Sequence, residues 1–234
     1  MKRPEVRSEI ARAAVLDEPV RWALYAYVSK RRRDVGRDEA ARALKISRAL
    51  AAFHLDKLVE EGLLETTYRR LSGRNGPGAG RPAKLYRRSA QPVAVNLPPR
   101  SYDLAGLLLL RAVTASGSQA AVGALHTVAA DLGFTIGTQA RRNAGARADR
   151  LRVVNSAMAA LSGYGFEPVR TTGGDIRLNN CPFHALAQEY RDLICGMNLA
   201  LMQGLVRGLR LRGLSAELEP EPDRCCVVFH RRPA

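Results

Sequence analysis

The sequence lacks long hydrophobic segments. No apolar run approaches the roughly 18 residues that indicate a transmembrane helix, and the opening segment, MKRPEVRSEI, lacks the apolar region of a secretory signal. We therefore expect a cytoplasmic protein that does not engage a membrane. At 234 residues the chain has room for two modest domains, and no internal repeat is evident.

A phosphate-binding loop is also missing. The stretch 72–82, SGRNGPGAGRP, is rich in glycine, but no Gly-Lys-Ser or Gly-Lys-Thr follows it. Gly78-Ala79-Gly80 does not join a strand to a helix, as a dinucleotide-binding turn requires. These glycines therefore do not indicate a nucleotide site.

Acidic residues are scarce relative to basic ones, 22 against 37, which gives a net charge of +15. Residues 1–90 hold 21 of the basic residues and 11 of the acidic ones, so most of the excess charge lies there. A concentrated positive field attracts polyanions by releasing counterions, which makes nucleic acid the first candidate partner. The alternative is that the arginines simply cover solvated surfaces.

The first 62 residues have the pattern of a helix-turn-helix. Segments 17–33 and 38–44 show helical spacing, and Ser47 is placed to cap a third helix that closes at Gly62. The link between the second and third helices is very short, which is what a helix-turn-helix requires.

Two short strands are predicted after the third helix, in LLETTYRR (63–70) and AKLYRR (83–88). The Gly- and Pro-rich stretch between them predicts a long loop, so the three segments together predict a β-hairpin, or wing. Residues 91–100 contain three prolines and are typical of a linker.

The rest of the chain changes character twice. Residues 101–162 are predicted to be largely helical, and Leu104, Leu107, Leu108 and Val113 give the first helix a broad apolar face. That face either pairs with a second copy of the chain or packs on its own domain. Two strands, a helical segment and two more strands then indicate a compact α+β unit.

The predicted fold is therefore mainly α with an α+β part. It comprises a winged helix-turn-helix DNA-binding domain in residues 1–90 and a linker in 91–100. Residues 101–234 follow, with central dimerisation helices and a small cysteine-containing α+β domain.

The exposed face of the third helix offers contacts to DNA, because the N-terminal residues of such a helix reach base edges in the major groove. Arg48 is the candidate for a base edge, Ala52 for a thymine methyl group and Lys57 for a phosphate. Phe53 fits the core equally well, and His54 also fits a hydrogen-bonded structural role.

The predicted hairpin is strongly basic. It carries seven arginines and lysines, and no acidic residue occurs between positions 66 and 90. A phosphate backbone would relieve the mutual repulsion of these charges. Arg81, between Gly80 and Pro82, could enter a narrow minor groove, whose potential favours guanidinium. The full set of candidate DNA-binding residues is Ser47, Arg48, Ala52, His54, Lys57, Arg69, Arg74, Arg81 and Lys84.

The run SRALAAFHLDKLVEEGLLE, followed downstream by GRPAKLYRR, resembles the ArsR-type winged-helix regulators. It is similar in particular to the branch that includes the iron–sulfur-dependent repressors of Suf cluster-assembly operons. The resemblance covers residues 20–90. It implies a homodimer that binds a palindromic double-stranded DNA operator.

All four cysteines lie in the last 54 residues, and in a cytosolic chain such clustering indicates metal binding or redox chemistry. Thirteen residues separate Cys181 from Cys195, and 29 more precede the Cys225-Cys226 pair, so the chain has no Cys-x-x-Cys knuckle. Cys181, Cys195 and Cys225 lie on segments that could pack together. Cys225 and Cys226, as neighbours on a strand, are expected to face opposite ways.

The segment NCPFHALAQEYRDLICGMNLALMQGLV and the later CCVVF are also similar to the C-terminal half of the same regulator branch, which holds an iron–sulfur cluster. By that resemblance the ligands are Cys181, Cys195 and Cys225, with His184, Cys226 or an external group as the fourth. The residues alone fit zinc as well as an iron–sulfur cluster. Any of the cysteines could instead be a buried small hydrophobe, which suits Cys226 best.

Together these features predict a DNA-binding transcriptional regulator, in the first place a repressor, whose operator binding responds to an iron–sulfur cluster. One alternative is a DNA-binding regulator with structural zinc or a small-molecule effector. A metalloenzyme would need an acid, a base or a nucleophile near the cysteines. The nearby candidates are His184, Glu189 and Asp192, and the last two fit ordinary charges on a helix surface.

Overall fold

The computed structural model describes residues 3–31, 33–70, 82–91, 93, 95, 101–221 and 224–231. The chain divides into two compact units, Met1–Ser101 and Tyr102–Ala234. Each unit combines helices with a small antiparallel sheet and has its own apolar core. The protein is therefore of mixed α and β structure, in agreement with the α+β part of the prediction.

The first unit begins with helices and ends with a hairpin. Its described elements are α1 (Arg3–Ala14), a 3-10 turn (Val15–Asp17), α2 (Pro19–Arg31), β1 (Val35–Gly36), α3 (Arg37–Leu44), α4 (Arg48–Glu60), β2 (Leu64–Arg69) and β3 (Ala83–Arg88). The strands form one antiparallel sheet in the order β1-β3-β2. β2 and β3 are the two predicted strands, and the loop between them lies outside the described residues.

The short link between α3 and α4 has a local cause at each end. Lys45 adopts a left-handed conformation with φ of 55°, and its backbone N–H donates to the carbonyl of Arg42. Ser47 caps α4 as predicted, because its hydroxyl accepts a hydrogen bond of 3.1 Å from the backbone N–H of Leu50. These contacts set the turn between the two helices.

The core of the first unit joins its helices to its sheet. Leu24 and Val28 of α2 and Leu55 and Leu58 of α4 are fully buried, and Tyr86 of β3 packs into the same cluster. Burying each of the aliphatic side chains stabilises the fold by about 1.5–3 kcal/mol. The packing thus fixes α4 against the hairpin.

Helix α1 is not among the helices that the sequence predicts. Its Arg12 donates from Nε to the carbonyl of Glu61 at 2.8 Å and from Nη2 to the carbonyl of Gly62 at 3.1 Å. A guanidinium at these carbonyls stabilises a helix C-terminus. The contact ties α1 to the end of α4.

The second unit contains the predicted sequence of helices followed by two strands, a helical segment and two strands. Its described elements are α5 (Tyr102–Ser116), α6 (Gln119–Ala144), α7 (Arg150–Gly163), β4 (Pro168–Arg170), β5 (Ile176–Leu178), α8 (His184–Glu189), α9 (Arg191–Leu209), β6 (Leu214–Leu218) and β7 (Val227–Arg231). The sheet is antiparallel, in the order β4-β5-β7-β6.

Helices α6 and α9 run side by side in backbone contact. A Cβ atom on Gly133 would lie 1.9 Å from the carbonyl oxygen of Leu201, and a Cβ on Gly204 would lie 2.0 Å from that of Ala130. Only glycine permits so close an approach. The pair positions α9, and therefore Cys195, in the second unit.

By length and composition alone, α6 could cross a membrane, since its 26 residues include a stretch with a mean hydropathy of 1.3. It is the one such helix in the described part of the chain. A core helix of a soluble protein meets the same criteria, and α6 packs Gly133 and Gly137 against α9. The apolar character of α6 is therefore weak support for a membrane span.

Candidate functional site

Three segments of the second unit bring the cysteines together. Cys181 follows β5 and precedes α8, Cys195 lies on α9, and the Cys225-Cys226 pair immediately precedes β7. The backbone N–H of Cys225 donates to the carbonyl of Leu178 at 3.1 Å, which fastens the pair to β5. The four sulfur atoms are supplied by positions far apart in the sequence.

Cys225 is the centre of the cluster. Hydrogen bonds from the thiols of Cys181 and Cys226 lower its pKa, and so do those from the backbone N–H of Val227 and the amide of Asn198, whereas burial opposes the shift. The Asn198 Nδ2 atom lies 3.0 Å from the Cys225 Sγ atom. Cys225 is 3% exposed, so its thiolate is stabilised by donors in the protein rather than by bulk water.

The two neighbouring thiols have the opposite tendency. The hydrogen bond to Cys225 raises the pKa of Cys181, and burial adds to the increase. The same two causes, followed by a hydrogen bond with Cys195, raise the pKa of Cys226. The pKa of Cys225 is thus lowered while those of Cys181 and Cys226 are raised, and Cys195, which interacts with Cys226, completes the group of four.

The expectation that Cys225 and Cys226 face opposite ways is wrong. The pair lies in a bend before β7, which begins at Val227, so the alternation of side chains along a strand does not apply to it. Both residues are buried, and their thiols hydrogen bond to each other. Cys226 is part of the cluster and not an isolated hydrophobe.

His184 does not join the thiols among the contacts that the structure describes. It is exposed on α8, and its Nε2 atom lies 3.2 Å from Nε2 of Gln188. Glu189 is also exposed and accepts a hydrogen bond of 2.7 Å from the Tyr190 hydroxyl. Neither side chain is placed as an acid or base beside Cys225.

The donor chemistry of the cluster fits a thiophilic metal. Thiolate sulfur is the ligand that iron–sulfur clusters and structural zinc prefer. In the described part of the chain, no three His, Cys, Asp or Glu side chains are already arranged as a metal site. The side chains interact in the order Cys181, Cys225, Cys226, Cys195, so metal binding would require proton release and a small rearrangement of the sulfur atoms.

The candidate DNA contacts on α4 lie at the surface with one exception. Arg48 is exposed and pairs with Asp38 through Nε and Oδ1 at 2.5 Å. Lys57 lies 3.1 Å from carboxylate oxygens of both Glu60 and Glu61. The basic residues of this helix thus have carboxylate partners of their own.

His54 is the exception, and we remove it from the DNA contacts. Its ring is buried, with Nδ1 3.6 Å from Oε2 of Glu18. Phe53 is the reverse case, because it is 65% exposed and so does not belong to the core. Ala52, which precedes Phe53, is partly exposed, and Ser47 uses its hydroxyl as the helix cap.

The charges of the hairpin are partly neutralised from within the chain. Lys84 lies 2.7 Å from Asp56 Oδ1, Arg87 lies 3.0 Å from Glu65, and Arg69 lies 3.9 Å from Asp34. The expectation that repulsion within the hairpin has no internal relief is therefore wrong. The acidic partners come from before position 66, which the local sequence did not reveal. Arg74 and Arg81 lie outside the described residues.

Asp56 was missed as an organising residue. Burial would raise its pKa, but hydrogen bonds from Lys84 and Tyr86 outweigh that effect and lower it. The Tyr86 hydroxyl donates to the same oxygen at 2.7 Å. One carboxylate thus fastens β3 to α4.

Asn198 was also missed. It is fully buried, and its Oδ1 atom has no hydrogen-bond partner among the described residues. Its position one turn beyond Cys195 on the same helix was the feature of the sequence that could have identified it.

No protein-family model, curated protein or solved structure matches this chain.

Proposed function

We propose that the protein is a cytoplasmic DNA-binding transcriptional regulator whose second unit senses through a metal group held by its cysteines. The observation that carries the proposal is the group of four thiols, of which Cys225 and Cys226 are buried and Cys181 and Cys195 are partly buried, in a chain whose other unit presents a basic helix-and-hairpin surface. We propose that this metal group is an iron–sulfur cluster.

The first unit supports DNA binding through its arrangement. A three-residue link joins α3 to α4, and β1 pairs with β3 of the hairpin that follows. This arrangement supports our proposal of a winged helix-turn-helix. Arg48 is exposed near the start of α4, where side chains of a recognition helix reach bases. On binding, phosphates would replace carboxylates such as Asp38 as partners of the basic side chains.

The ligand set that the contacts favour is Cys181, Cys195, Cys225 and Cys226. Of the alternatives for the fourth position, Cys226 contacts other thiols of the cluster, whereas His184 is exposed and contacts Gln188. A bound cluster would supply one-electron chemistry and sensitivity to oxidants. The chain itself supplies the Asn198 donor to the Cys225 sulfur, the burial of Cys225 and Cys226, and the backbone hydrogen bond that fixes Cys225 to β5.

The exposed apolar side chains of the second unit support a homodimer. Leu104, Leu108 and Leu109 of α5 are more than half exposed, as is Val128 of α6. Exposed apolar side chains in such density mark an interaction surface. We propose that this surface pairs two copies, so that two recognition helices read a palindromic site.

The first experiment is purification without oxygen, followed by visible absorbance and assays of iron, sulfide and zinc. Loaded and metal-free protein are then used to select duplexes from a random DNA library and to measure affinity at fixed salt. We expect a selected palindrome and different affinities for the two forms. Failure to select any sequence would contradict DNA binding, and equal affinities would contradict sensing by the metal group.

Structural zinc is the second candidate, because four thiols also make a closed tetrahedral zinc site. In that case the protein would be colourless and contain zinc without sulfide. Oxidants would then release zinc and unfold part of the second unit rather than change a redox state.

A further inference from the structure

The buried side chain of Asn198 carries an energetic cost, and packing of the fold does not require an amide at this position. It is fully buried on α9, and of its two polar atoms only Nδ2 has a partner among the described residues. A buried carbonyl without a hydrogen bond is destabilising, and an apolar side chain would avoid the cost. The partner that Asn198 does have is Cys225 Sγ, at 3.0 Å.

We propose that Asn198 is a positioning residue for the metal group, acting through the sulfur of Cys225. Its amide N–H donates to that sulfur and would stabilise negative charge on it when it ligates a metal. This inference rests on the proposed function, since the charge it stabilises is greatest in a reduced iron–sulfur cluster. Hydrogen bonds to ligating sulfur favour the reduced state for this reason.

The orientation of the amide group follows from the same contact. The carbonyl Oδ1 atom has no hydrogen-bond partner in the described part of the chain, so only the sulfur distinguishes the two ends of the amide there. With the amide reversed, an oxygen lone pair would face an electron-rich sulfur. The donor-first orientation is therefore favoured, and more strongly as the sulfur becomes more anionic.

The test compares Asn198→Leu with the loaded wild-type protein. Leucine has the same branching but cannot donate a hydrogen bond. We expect the equilibrium constant for one-electron reduction of the cluster to fall about tenfold, which corresponds to about 59 mV in midpoint potential. Gln203→Leu removes an amide from the exposed face of the same helix and is expected to leave the potential unchanged.

A second measurement separates positioning from a structural role. In metal-free protein, Asn198→Leu is expected to keep or raise the thermal unfolding midpoint, because it removes the unpaired carbonyl. An unchanged potential in a fully loaded Asn198→Leu variant would overturn the proposal, and so would a lower unfolding midpoint in the metal-free variant. If the wild-type protein takes up no cluster, the proposed function fails. The unfolding midpoint of the Asn198→Leu variant then shows whether Asn198 stabilises the fold.

Discussion

At the scale of single residues, the group of thiols includes Cys226, which the sequence pattern suggested was a buried small hydrophobe. Cys226 lies in a bend and shares hydrogen bonds with Cys225 and Cys195. This contact exists because β7 starts at Val227, two residues after the apolar run begins at Cys225. A two-residue difference at a strand boundary thus decides whether two neighbouring thiols converge.

The first prediction concerns the fourth ligand. Cys226→Ser is expected to lower the affinity for the metal group by more than about tenfold, since even changes outside the ligand set cost 10–100-fold at such sites. His184→Asn is the matched control and should load normally, because His184 is exposed and contacts Gln188. The iron and sulfide content after anaerobic reconstitution measures loading of both variants. Normal loading of Cys226→Ser would assign the fourth position elsewhere.

The second prediction concerns the recognition helix. Asp38→Asn removes the carboxylate partner of Arg48 and leaves its guanidinium free for DNA. We expect DNA affinity at low salt to rise about two- to fivefold, the range that an exposed ion pair is worth. Asp131→Asn makes the same charge change on α6 and controls for net charge. Titrations with a labelled duplex measure the DNA affinity of both variants. Equal changes in affinity would contradict a contact between Arg48 and DNA.

At the scale of secondary-structure elements, Asp56 holds the hairpin to α4 and makes stability depend on pH. Its pKa is lowered in the folded protein, so the stabilisation is complete above the unfolded value of about 4 and is lost as pH falls through the lower folded value. We expect Asp56→Asn to lower the free energy of unfolding by about 1 kcal/mol near neutral pH. Denaturation at several pH values should show the difference from wild type shrinking below about pH 4. A difference that persists unchanged in acid would show that ionisation of Asp56 is not its source.

The contact between α6 and α9 gives the fourth prediction. Gly133→Ala would place a methyl group 1.9 Å from a backbone carbonyl, and neither helix can move without disturbing the core. We expect a loss of about 3 kcal/mol or more in stability and loss of metal loading. Gly123→Ala on the same helix meets no described atom within 4 Å and should stabilise by about 0.5–1 kcal/mol. Similar thermal midpoints for the two variants would contradict the close packing.

At the scale of the whole molecule, local sequence patterns predicted most of the helices and strands. They did not predict the contacts between residues that are distant in the sequence. The cap at Ser47, the hairpin strands and the strand–helix–strand order of the second unit follow from short-range spacing. The partnership of Lys84 with Asp56 spans 28 residues, and that of Cys225 with Asn198 spans 27. Such pairs depend on how the elements pack, which a single sequence does not specify.

The last prediction concerns assembly. Leu108 of α5 is 55% exposed and belongs to the surface that we propose pairs two copies, whereas Leu151 of α7 is 54% exposed and lies outside that surface. Leu108→Glu would bury a charge in the dimer contact and is expected to give a monomer by light scattering, with Leu151→Glu remaining dimeric. Because one recognition helix then binds without its twin, affinity for the selected palindrome should fall by about 10²–10⁴-fold. Cluster loading should persist, since the four thiols of one chain suffice. A dimeric Leu108→Glu protein would place the pairing surface elsewhere, and a monomer that keeps full affinity would contradict recognition of DNA by two copies.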